Sequence, residues 1–93
     1  MTFYLKDPHS RVDYAVDWGA SYLDGQTILG SGWTIEPLET GGVAIEEESY
    51  DLTRSAARLS GGIAGRVYSV SNQVAFSDGS LDRRSIHVRV EGR

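Results

Sequence analysis

Two histidines, two pairs of carboxylates and one glycine-rich run are the residues of this 93-residue chain whose types could do chemistry. His9 and His87 could ligate zinc or carry a proton. Neither has a second ligand at metal spacing, and His87 alternates with Ile86 and Val88, so it is expected to point outward as a solvated side chain. Asp13/Asp17 and Glu46/Glu48 could divide acid and base roles. Each pair falls on the polar side of a period-two segment, opposite the apolar residues, which is the expected solvent face of a strand. Ser60-Gly61-Gly62 has no glycine before the serine and no strand-to-helix setting, so it is not a nucleophile elbow. Gly61 to Gly65 lacks the lysine and helix of a phosphate loop. There is no cysteine, which excludes disulfides, thiolate metal sites and thiol catalysis, and fits a reducing compartment. The residues therefore predict no enzyme, no cofactor and no metal.

Chemistry of recognition has more to work with. Residues 1–51 hold ten acids against Lys6 and Arg11, and residues 52–93 hold seven arginines against Asp78, Asp82 and Glu91. The split is −8 before residue 52 and +4 after it, for a net charge of −4. A negative total argues against a general nucleic-acid binder. Solvated surface accounts for such charges by itself. A second reading is complementary faces for head-to-tail assembly, with Arg83, Arg84 and Arg89 on one side and Glu46, Glu47 and Glu48 on the other. Asn72 stands apart: it falls on an apolar face between Val70 and Val74, where an unbonded amide costs ~1–3 kcal/mol. It is expected to tie down the backbone of a neighbouring loop.

The elements that must position these residues are strands. Tyr68, Val70, Val74 and Phe76 share one face of a segment near residues 66–76, and Ile86, Val88 and Val90 share one face near residues 82–90. Asp78-Gly79 between them is a strong hairpin signal. Val12, Tyr14, Val16 and Trp18 alternate in a first strand, followed by a turn from Gly19 to Gly25. Ile28 and Trp33 differ in parity across Gly30-Ser31-Gly32, so both face inward only through a β-bulge. Val43 and Ile45 face inward, with Glu46 to Glu48 in solvent. Residues 50–55 connect to a short strand bearing Ala57 and Leu59. No segment sustains helical periodicity, and no apolar run approaches the ~20 residues of a membrane span.

Six or seven antiparallel strands with frequent turns predict an all-β, immunoglobulin-like β-sandwich over residues 11–93. Residues 1–10, broken by Asp7-Pro8, are expected to form a flexible N-terminal arm. The expected core is Trp18, Ile28, Trp33, Ile45, Leu59, Tyr68, Val70, Val74, Ile86 and Val88. Tyr68, at the entry to its strand after Gly61, Gly62 and Gly65, is placed either to hydrogen-bond back across the corner or to sit as a plain core tyrosine.

One further pattern spans nearly the whole chain. It comprises Asp13-Tyr14, Asp17-Trp18, Gln26-Thr27-Ile28 and Trp33-Thr34, then Leu59-Ser60-Gly61-Gly62, Gly65, Tyr68, Asn72 and Asp78-Gly79. It resembles small tailed-phage and prophage structural proteins of the fiber–tail adaptor or head–tail joining type. The chain departs from that pattern in the acid run Glu46 to Glu48. The resemblance implies an immunoglobulin-like virion component of the neck or tail, with no enzymatic activity. Its partners would be other virion proteins (portal, tail or fiber components), with no nucleic acid and no membrane. It would be made in the bacterial cytoplasm before assembly and be monomeric or weakly self-associating in isolation. The alternative is a small carbohydrate- or surface-binding sandwich using exposed Tyr4, Tyr22 and Tyr50.

Overall fold

The computed structural model describes residues 3–20 and 25–92. Among them are seven strands: β1 (Phe3–Lys6), β2 (Val12–Asp17), β3 (Ile28–Glu36), β4 (Ala44–Tyr50), β5 (Arg54–Ser60), β6 (Val67–Phe76) and β7 (Leu81–Val90). One 3-10 turn, Trp18–Ala20, follows β2. The strands form two sheets, ordered β1-β7-β6-β3 and β2-β5-β4. Every ladder is antiparallel except β1–β7, which is parallel from Phe3 opposite His87 to Lys6 opposite Val90.

The β6–β7 hairpin forms where the sequence places it. Gly79 takes φ 88°, a left-handed conformation that glycine adopts without cost. Its N–H donates to Phe76 O at 2.9 Å, and Asp78 Oδ1 accepts the Ser80 N–H at 2.8 Å and its hydroxyl at 2.6 Å. In β3 the register shifts between Ile28 and Gly30, so Ile28 and Trp33 are both buried, as their opposite parity requires.

The inner faces of the sheets meet in one core. Of the expected members, Trp18, Ile28, Trp33, Leu59, Tyr68, Val70, Val74 and Val88 are buried, while Ile45 and Ile86 are half-buried and pack against them. Val16, Ile35, Val43, Ala57, Phe76 and Val90 complete it. Immunoglobulin domains lock β2 to β6 with a disulfide two residues beyond the corner tyrosine. Here that position is Val70, and a polar seam links the sheets instead. Asn72 Oδ1 accepts the Trp18 indole N–H at 2.9 Å, and its amide donates to Gly32 O at 3.0 Å, Ser31 Oγ at 3.0 Å and Ser55 Oγ at 3.1 Å. Ser55 Oγ also accepts the Trp33 indole N–H at 2.9 Å. Asn72 therefore ties a strand and the opposite sheet together, where a loop was expected. No buried side-chain polar atom among the described residues lacks a partner, so the seam escapes the penalty for an unsatisfied buried amide.

Three expectations are corrected. Residues 3–6 of the expected arm are the edge strand β1. Its pattern hid it because the inward residue at its end, just before Asp7-Pro8, is a lysine, and Lys6 is only 3% exposed. β4 and β5 run longer than their apolar residues indicate, and their connection shrinks to residues 51–53. There Asp51 Oδ1 accepts the N–H groups of Thr53 at 2.9 Å and Arg54 at 2.8 Å. Finally, Glu46 and Glu48 do not share a simple outer face. A register shift between Ile45 and Glu47 sets Glu47 opposite Arg58 and Glu48 opposite Ala57, although all three glutamates are exposed.

Candidate docking surface

The seam and the hairpin present two broad outer faces. On the β1-β7-β6-β3 sheet, the outward residues of β7 include Arg83, Ser85, His87 and Arg89, alternating with the inward Ile86, Val88 and Val90. Arg83 Nη2 donates to Ser71 Oγ at 3.2 Å, and Arg89 Nε lies 3.0 Å from Glu91 Oε1. Arg83 and Arg89 thus share a face, separated by roughly 20 Å of strand. Arg84 points to the other side, where its guanidinium carbon sits 5.4 Å from the centre of the Trp18 ring. That is cation–π distance, so this arginine also covers the core tryptophan.

The opposite sheet carries the acids, but not alone. Arg11 Nε lies 3.0 Å from Glu46 Oε2, Arg58 Nε 2.9 Å from Asp13 Oδ1 and Arg58 Nη1 3.8 Å from Glu47 Oε2. Arg54 stands opposite Asp17. Arginines from the basic half of the sequence therefore sit among acids from the acidic half. The charge split of the chain is diluted on the folded surface, and exposed pairs of this kind contribute ~0–1 kcal/mol each. The Asp13/Asp17 pair lies on this solvent face, consistent with its sequence pattern.

Two buried titratable groups went unnoticed or undecided in the sequence. Lys6 Nζ donates to the carbonyls of Asp7 at 3.0 Å, Ser10 at 2.7 Å and Gly61. Burial pushes its pKa below the ordinary lysine value, against the opposing pull of the Asp7 charge. With its protons held by three carbonyls, the amine is a fastener between β1 and the β5–β6 loop. Tyr68 hydrogen-bonds back across its corner: the hydroxyl accepts the Ile63 N–H at 3.3 Å and donates to Glu39 Oε1 at 2.6 Å. Burial, then the hydrogen bond to Glu39, raise its pKa above the usual tyrosine value.

No group of three or more histidine or acidic side chains among the described residues is arranged to hold a metal ion, and no helix among them is long and apolar enough to cross a membrane. Of the tyrosines considered for glycan stacking, Tyr4 and Tyr50 are exposed and each also makes a contact within the chain. Tyr4 meets Tyr14 edge to face at 5.2 Å, and the Tyr50 hydroxyl donates to Leu29 O at 3.0 Å. Tyr22 lies outside the described residues.

A family model described as podophage GP4 fiber-tail adaptor protein gp77 matches residues 6–89. The chain belongs to that family. Membership gives it a structural role in the phage tail and makes it a virion component. No curated protein matches the adaptor. Among solved structures, the solution structure of the PKD domain from KIAA 1837 protein is similar, with 22% identity over 97% of this chain and 82% of that one and a TM-score of 0.61. At that identity the likeness is one of fold, and it agrees with the immunoglobulin-like sandwich described above.

Proposed function

We propose that this adaptor is non-catalytic and acts by protein–protein docking in the neck or tail, joining portal, tail or fiber components. The match to the adaptor family over residues 6–89 carries this reading. The surface supports it. Arg83 and Arg89 form one exposed outer face, Glu46 and Glu47 lie on the opposite one, and Glu48 borders the latter. Faces directed oppositely suit heterologous contacts between neighbours. Each pair is weak in solution, so the isolated chain is monomeric or only weakly associated after synthesis in the bacterial cytoplasm. Contacts add up once a particle holds the subunits at high effective concentration. The test is sedimentation of the purified protein, then incorporation into particles with Arg83 and Arg89, the two arginines of the outer face, changed to glutamate. Reduced incorporation is expected. A tight, salt-insensitive oligomer in solution overturns the weak-association reading, and full incorporation of the reversed protein removes these arginines from the interface.

A further inference from the structure

Four strands end the two sheets: β1 and β3 in one, β2 and β4 in the other. An unpaired edge offers N–H and C=O groups to any extended chain, and folds blunt such edges with brevity, charge, proline or bulges. Three of these edges are blunted. β1 has four residues and runs into Asp7-Pro8. β2 carries Asp13 and Asp17. β4 carries Glu46, Glu47 and Glu48 in succession and a register shift.

β3 differs. Its start is tied to the β4–β5 hairpin, with the Ile28 N–H donating to Leu52 O at 2.9 Å and the Tyr50 hydroxyl to Leu29 O at 3.0 Å. From Gly30 to Glu36 it has no lysine, arginine or proline, and no second ladder partner among the described residues. Two grooves flank this stretch. One, on the outer side of the sheet, is lined by Gly30, Gly32, Thr34, Glu36 and Leu38, and also by Arg83, whose Nη2 donates to Ser71 Oγ at 3.2 Å. The second, between β3 and β4, is lined by Trp33, Ile35, Leu38, Val43 and Ile45. A strand added to β3 would send alternate side chains to opposite sides of the sheet, and so into the two grooves in turn. The glycines leave room for this. Neither Gly30 nor Gly32 has a positive φ, and a Cβ on Gly32 would meet nothing within 4 Å.

Charge selects the occupant. Glu36 at the end of β3 and Glu48 on β4 make no ion pair among the described residues, whereas Glu46 and Glu47 do. A second copy pairing through the same edge would bring two sets of these glutamates together, and like charges oppose that. Building on the adaptor reading, we propose that β3 from Gly30 to Glu36 receives, by strand addition, an extended segment of another virion protein whose apolar residues alternate with others that include lysine or arginine.

The test compares incorporation of wild type, Gly32→Lys and Thr34→Lys into purified tails. Both lysines project from the outer side of β3, at an open or exposed position, so the free melting temperature should hold. Two such sites keep the test intact if one variant folds poorly. Folded variants should enter tails about tenfold less than wild type, a loss equivalent to ~1.4 kcal/mol of binding. Glu36→Lys with Glu48→Lys should likewise lose incorporation. Wild-type incorporation of the folded Gly32 and Thr34 variants overturns the edge while leaving the adaptor reading standing. Full incorporation of the glutamate variant overturns the basic segment. A solution dimer of wild type that Gly32→Lys abolishes overturns the choice of partner in favour of a second copy. Absence of wild type from tails overturns both readings.

Discussion

At the β1–β2 edge of the sandwich, Tyr4 packs edge to face on Tyr14 and Lys6 gives its ammonium protons to the carbonyls of Asp7, Ser10 and Gly61. The Glu91 N–H also donates to Lys6 O at 3.0 Å. At the β3–β4 edge the side chains of Trp33, Ile35 and Ile45 instead line a groove, and the backbone beyond Gly30 has no further ladder. The first edge is fastened by side-chain contacts within the chain, although β1 and β2 each end a sheet as β3 and β4 do. The second is the edge proposed above for strand addition, with the loop of residues 37–43 as one wall. On that proposal, the lysine clasp and the docking edge lie at opposite ends of one sheet. A chain of this size has little stability to spare, and this separation lets one edge stay open without loosening the other.

Trp33→Ala attacks the open edge from beneath. It removes a buried ring and the indole N–H that Ser55 Oγ accepts at 2.9 Å. A loss of ~3–5 kcal/mol is expected, comparable to the whole stability of so small a domain. Denaturant titration would read it, and an unchanged midpoint would show that the ring does not support the seam. Lys6→Ala attacks the closed edge. It leaves three carbonyls without their charged donor and should cost ~1.5–3 kcal/mol, with faster amide exchange confined to β1 and the β5–β6 loop. Exchange that rises equally everywhere would break the contrast between edges.

Tyr68→Phe loosens the wall of the open groove, since the hydroxyl joins Glu39 to the Ile63 backbone. About 1–2 kcal/mol should be lost. The pH dependence carries a further signature. Burial and Glu39 raise the folded-state pKa above 10, so the contribution of Tyr68 is fully present below that value and falls as pH rises through the folded pKa. The phenylalanine variant should lose less stability than wild type between neutral pH and pH above 10; an identical alkaline slope would count against the buried phenol.

The smallest effects are expected at the turns. Hydrogen bonds from Thr53 and Arg54 hold the Asp51 carboxyl below the usual aspartate range, and those from Ser80 do the same for Asp78. Depressed folded-state values stabilise above the unfolded pKa near 4 and are lost as pH falls through the folded value. Acid titration of Asp51→Asn and Asp78→Asn should therefore show a shallower loss below pH about 4. Equal acid sensitivity in wild type and variants would assign that loss to other carboxylates.

Much of the sandwich was legible because its apolar residues alternate, broken on the β6 face only by Asn72. Tyr68 to Phe76 and Ile86 to Val90 face one core on either side of a glycine that must turn, and the parity clash of Ile28 with Trp33 announced the bulge. β1 was illegible because a buried ammonium reads as a polar residue unless its three carbonyl acceptors are known, and two of those lie in the loop after β1 and one beyond β5. The polar end of β4 failed the apolar test because β4 is an edge strand with exposed glutamates, and the start of β5 failed it because its buried inward residue is Ser55, a hydroxyl that accepts the Trp33 N–H. Charge was the poorest guide. Arg54 and Arg58 belong to the basic half of the sequence, yet the β2–β5–β4 ladders carry them into the acidic face, and Arg84 leaves its neighbours to cover Trp18.

The contrast between edges is tested most directly by hydrogen–deuterium exchange on the free adaptor and on the adaptor assembled in tails. In the free protein, the outward-facing amides of Gly30 to Glu36 should exchange readily while those of Leu5 and Lys6 are slowed by the β7 ladder and the lysine clasp. In tails, Gly30 to Glu36 should become strongly protected and β1 should change little. Unchanged exchange across Gly30 to Glu36 on assembly, with new protection at β1 or β2 instead, would contradict the assignment of docking to the open edge.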